Sequence, residues 1–160
     1  MFRIICFLLT LLCLAGQSSS GACEQESLVL QVVRTFGEEV LWETPVKQGD
    51  RFTITYRHSS DHTPVLDIFQ VGDKGEIVLI EERYRWHGAG LESHPAVGAT
   101  DFSEGWTRVR LHREIPRFLL RVGEVADHNL HIQGQSVPLL SIAEGRESLW
   151  IRVTKKAGAR

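Results

Sequence analysis

The alternation Phe52-Thr53-Ile54-Thr55-Tyr56 constrains the fold more than any other stretch of the chain. Within a segment spanning 51–57, Phe52, Ile54 and Tyr56 point one way and the two threonines the other, the period of a strand with one buried face. Short strand-like segments recur at 28–33, 40–46, 65–71, 76–86, 106–111, 118–122, 128–132, 137–140 and 149–153. Turn residues separate them: Gly37, Gln48-Gly49-Asp50, Gly72-Asp73-Lys74-Gly75, Gly123, Gly134 and Gly145. Helical periodicity is nearly absent after residue 22. The pattern predicts an all-β domain over residues 23–160, a single antiparallel β-sandwich or barrel-like fold. With 42% hydrophobic and 24% charged residues, a chain of this length buries a core without needing a cofactor to fold. Its formal net charge of -2 offers no basic face, so no nucleic-acid partner is expected.

Residues 1–22 are a different material. Arg3 precedes an apolar run, 4–15, which gives way to Gln17-Ser18-Ser19-Ser20-Gly21-Ala22, and no acidic residue occurs before Glu24. This is the pattern of a secretory signal peptide, and the run is short of the roughly 20 residues that span a membrane. An exported, periplasmic protein is expected, touching the membrane only through its N-terminus. Cys6 and Cys13 lie inside the signal, so a cleaved chain keeps Cys23 alone. Ser20-Gly21-Ala22-Cys23 resembles a bacterial lipoprotein cleavage site, which makes Cys23 a candidate for lipidation. Ordinary cleavage after small residues at Ser20 and Ala22 fits as well.

The densest polar cluster is His58-Ser59-Ser60-Asp61-His62-Thr63-Pro64. One reading is a metal site in which His58 and His62, with Asp61, are joined by His87 or His94. The other is a turn in which Ser59, Asp61 and Thr63 bond the local backbone and Pro64 fixes the exit. No Gly-x-Ser-x-Gly elbow supports Ser59 or Ser60 as a nucleophile, and no catalytic activity is expected. Glu82 intrudes on a face shared by Val78, Ile80, Tyr84 and Trp86, where a carboxylate needs a partner. Arg121 is the natural candidate. Residues 87–105, with Gly88-Ala89-Gly90, form a polar stretch longer than the ~12–15 residues common for loops, and 155–160 read as a frayed basic tail.

Taken in order, several of these stretches resemble the domain of unknown function 1850 family. They are Gly49-Asp50-Arg51-Phe52, His58-Ser59 with Thr63-Pro64-Val65, Asp67, Glu81-Glu82-Arg83-Tyr84, Gly88-Ala89-Gly90-Leu91, Gly105-Trp106, and Leu120-Arg121-Val122-Gly123 with His128. Ser60 departs from the pattern, which has an apolar residue there, and Asp61-His62 is a more polar insert. The resemblance implies a small exported protein often encoded beside TAXI-type TRAP transporters, with no established reaction. Its recurring polar positions fall on His58, Ser59, Asp67, Glu82, Tyr84, Gly88, Gly90 and Arg121. The expectation is a binding or accessory protein whose partner is a TRAP permease, its solute-binding protein or a small anionic solute. A structural interaction module is the remaining alternative.

Overall fold

The computed structural model describes residues 27–85 and 100–156. Eleven strands form two antiparallel sheets. They are β1 (Ser27–Arg34), β2 (Val40–Val46), β3 (Arg51–Arg57), β4 (Pro64–Val71), β5 (Ile77–Tyr84), β6 (Thr100–Ser103), β7 (Trp106–Ile115), β8 (Phe118–Arg121), β9 (Asn129–Ile132), β10 (Gln135–Pro138) and β11 (Ser148–Lys156). The smaller sheet has the order β2-β1-β11-β8 and the larger β10-β9-β3-β4-β5-β7-β6. The only helical element among the described residues is a 3-10 turn, Leu139–Ser141.

The sheets pack through the side chains that alternation selects. Leu30 and Val32 of β1, and Leu149 and Ile151 of β11, meet Phe52, Ile54, Phe69, Val71 and Leu130 of the larger sheet in one core. Phe52 stacks on Phe69 with ring centroids 4.9 Å apart, and Phe118 adds a tilted contact to Phe69 at 5.4 Å. Polar side chains cover the outer face of β1. Gln31 donates to Glu43 at 2.9 Å and accepts from Arg152 at 3.1 Å, while Lys156 pairs with Glu43. The hydrogen bond from Lys156 is the main cause holding the Glu43 carboxyl below its usual range.

The β2 and β3 boundaries coincide with those expected, and the Gly72-Asp73-Lys74-Gly75 turn closes through Gly72 N–H to Glu76 O at 2.8 Å. Four expectations are corrected. The polar stretch 87–105 contains a strand, β6, whose pairing with β7 sets the edge of the larger sheet. The β7 strand runs on through His112-Arg113-Glu114 to Ile115, since backbone pairing with β5 does not require apolar side chains there. Lys155 and Lys156 are not frayed but pair in register with Leu28 and Ser27.

The fourth correction concerns β5. Its register against β4 passes from Leu79↔Phe69 to Glu81↔Ile68, and against β7 from Leu79↔Arg113 to Glu81↔Arg110. Against β4, Ile80 is therefore an extra, bulged residue, whereas against β7 the extra residue lies on β7. A bulge reverses which side chains face inward. Ile77 and Leu79 face the core before it, and Glu82 and Tyr84 face the same side after it. Val78 and Ile80 lie on the opposite face, so Glu82 does not share theirs.

Truncating Phe69 to alanine removes a fully buried ring and is expected to cost about 3–5 kcal/mol in urea unfolding. Phe36→Ala, at a site 91% exposed, should change stability by no more than about 0.5 kcal/mol.

Candidate functional site

The segment joining β3 to β4 is a tight loop. His58 N–H donates to Thr63 O at 2.9 Å and His62 N–H to His58 O at 3.0 Å, with His62 in the left-handed region at φ 56°. Asp61 Oδ1 accepts from the Thr63 backbone N–H at 3.1 Å and its hydroxyl at 2.9 Å. The backbone donor is the chief reason the Asp61 carboxyl titrates below its usual range. Asp61 thus bonds the local backbone as the turn reading assigned, whereas the Thr63 hydroxyl bonds the Asp61 side chain instead. His58 Nδ1 lies 2.9 Å from Ser60 Oγ and 3.3 Å from Asp61 Oδ1. Hydroxyl and carboxylate meet the same ring nitrogen, whereas a catalytic relay places them on opposite nitrogens.

Beside this loop opens a cavity of about 540 Å³. One wall is Arg57, His58, Ser59 and His62, and the facing wall is the chain from Arg121 to Ala126. Arg57 N–H donates to Ala126 O at 2.7 Å and fixes the distance between the walls. Arg146 reaches the cavity from the turn before β11, where its N–H donates to Val122 O at 2.7 Å. Three arginines from distant parts of the sequence therefore share one rim. Arg146 lies 3.5 Å from Glu124, an exposed pair worth little. Arg57 and Arg121 form no ion pair among the described residues. Val122, Val125 and Ala126 give the cavity an apolar side.

A second cavity, of about 300 Å³, lies between β8 and the inner face of β3 and β4. Ile54, Phe118, Leu119 and Leu120 form its apolar part, and Tyr56, Asp67, Arg121 and His128 its polar part. Asp67 is half-buried and sits directly across the strand pair from Glu82. Burial first, and the negative charge of Glu82 second, push the Asp67 carboxyl up to about 7. The Tyr56 phenol is raised by burial and then by both carboxylates. His128 is held below the ordinary imidazole range by burial. Its Nδ1 accepts from the Gly123 N–H at 3.2 Å, so the neutral ring carries its proton on Nε2, and it packs on Tyr56 at 5.4 Å.

The structure brings His58, Ser59 and Arg121 together at the first cavity and Asp67 and Arg121 together at the second. Glu82 lies beside Asp67, and Tyr84 is buried with Val65 and Val109 in a separate small cluster. The expected Glu82–Arg121 pair does not form among the described residues: Arg121 is on the edge strand of the other sheet, and the neighbours of Glu82 are Asp67 and Val109. Gly88, Gly90, His87, His94 and Cys23 lie outside the described residues. Of the four histidines in the metal reading, His58 and His62 share a cavity wall, and among the described residues no three metal-ligating side chains converge. Sequence reasoning missed Arg57 and Arg146. Arg57 adjoins His58 at a strand end, but nothing local marks Arg146, which tertiary folding alone carries to the site.

The family model described as domain of unknown function (DUF1850) matches residues 52–139, more than half of the chain, and the chain belongs to that family. The match includes both walls of the first cavity but not Arg146. No curated protein and no solved structure matches the chain.

The raised Asp67 carboxyl links stability to pH. Unfolded, Asp67 loses its proton near the model-compound value of 3.8; folded, it holds the proton to about 7. Between these values the folded state binds more protons, so stability falls as pH rises, by about 4 kcal/mol at most. Urea unfolding at pH 5 and pH 8 should show this loss in the wild type. In Asp67→Asn the loss should shrink, leaving the variant the more stable protein at pH 8.

Proposed function

We propose that this family member is a non-enzymatic, extracytoplasmic binding protein whose first cavity takes a small organic anion, acting as an accessory to TRAP-type solute uptake. The observation that carries the binding site is the convergence of Arg57, Arg121 and Arg146 on a cavity whose other side is Val122, Val125 and Ala126. Guanidinium groups recognise carboxylates through paired hydrogen bonds, and an apolar wall accepts a hydrocarbon body. His58 and His62 stand on the same wall and add positive charge when protonated. The single nitrogen shared by Ser60 and Asp61 at His58 supports a binding role over hydrolysis. The extracytoplasmic address rests on the signal pattern of residues 1–22, and the transport context on the family resemblance.

Calorimetric titration with benzoate, which carries one carboxylate on an apolar ring, tests the site at pH 5.5. Saturable one-to-one binding is expected, weakened about tenfold or more by Arg57→Ala, since a charge-assisted hydrogen bond is worth about 1.5–3 kcal/mol. Absence of binding by benzoate and by longer aliphatic carboxylates would overturn the anion site. Expression of the full chain in a bacterium with an export pathway tests the address. The released or lipid-anchored protein should have lost residues 1–22.

A further inference from the structure

Arg121 is the one side chain that lines both cavities. It is exposed at the end of β8, an edge strand, and it forms no ion pair among the described residues. On one side it shares a rim with Arg57 and Arg146, a cluster of like charges that favours an incoming anion. On the other it borders the cavity that holds Asp67. We propose that Arg121 is a two-position cation: it serves the anion cavity while Asp67 is protonated and turns toward Asp67 once that carboxyl ionises, so that a rise in pH releases the anion. The proposal rests on the anion-site reading only for its consequence. The movement of Arg121 stands without it.

The groups around Asp67 make Arg121 the cation available to answer its charge. From β5 it faces Glu82, a like charge. From β3 it faces Tyr56, whose phenol stays protonated. His128, ahead of β9, is kept neutral by burial and has its Nδ1 occupied by the Gly123 N–H. Tyr84 lies beyond Glu82 and is likewise held protonated, by burial and then by Glu82. Arg83 extends to Glu81, next to Glu82 in sequence and therefore on the opposite face of β5. From β8 comes Arg121. An ionised Asp67 thus meets one carboxylate, one neutral phenol, a neutral imidazole and the guanidinium of Arg121. Because the Asp67 carboxyl is pushed up to about 7, the exchange falls near neutral pH.

Two readouts separate this switch from the binding site. The first needs no ligand: nuclear magnetic resonance of the full-length protein follows the Arg121 Nε signal and the Asp67 side-chain carboxyl from pH 5 to pH 8.5. The expected result is one midpoint common to both groups, with the Arg121 transition abolished in Asp67→Asn. An Arg121 signal that ignores the Asp67 midpoint overturns the proposal. The second is benzoate titration at pH 5.5 and pH 8. Other groups lining the first cavity contribute a pH dependence of their own, so the comparison is with Asp67→Asn. The wild type should lose about tenfold more affinity than the variant between the two values. Equal losses overturn the coupling while leaving the anion site intact. A responsive Arg121 without benzoate binding at either pH overturns the anion site while leaving the switch intact.

Discussion

Much of the chemistry of this protein depends on one extra residue. The bulge at Ile80 turns Glu82 inward and sets it across from Asp67, on the face that would otherwise be a continuous apolar layer. Without the bulge, Glu82 would follow Val78 and Ile80 to the outer face and be hydrated. With it, two carboxylates divide the main core from the cluster of Val65, Tyr84 and Val109. A polar seam of this kind lowers stability, and a fold retains one where the charge has another use. The second cavity places that seam in contact with solvent.

The two cavities are unlike in origin. The first is built from loops, and its walls are held apart by backbone hydrogen bonds, Arg57 to Ala126 and Arg146 to Val122. Its charges are exposed and long, suited to closing on a ligand. The second is a gap in sandwich packing, where the smaller sheet ends at β8 while the larger continues through β5, β7 and β6. Tyr56 and Asp67 sit on β3 and β4, and His128 is held by the Gly123 N–H. A loop-built cavity rimmed by arginines thus adjoins a strand-built one that holds Asp67, with Arg121 at the boundary.

The period-two pattern made most of the strands legible, because each buries one face against the same core. It failed where pairing is set by the backbone rather than by side chains. The charged end of β7 at His112-Arg113-Glu114 and the lysines closing β11 carry no apolar alternation, yet both extend ladders already begun by their neighbours. The bulge was invisible for a related reason: a fixed period applied to 76–86 assigns Glu82 to the wrong face, and only the register against β4 reveals the shift. At the site, His58, Ser59 and Arg121 were legible as a polar cluster and a charged strand end. Arg146 was not, since it comes to His58 from the far side of the sandwich.

The order of the smaller sheet carries a consequence for how the chain acquires its shape. The last described strand, β11, lies between β1 and β8, and its partners in β1 run from Ser27↔Lys156 to Arg34↔Leu149. Neither β1 nor β8 therefore has its native central neighbour until residues 148–156 are present. Contacts that join such distant parts of a chain form late, after the entropy of closing the intervening loop has been overcome. A nascent chain growing at about 5–20 residues per second therefore keeps an open, half-built smaller sheet until residues 148–156 have been made.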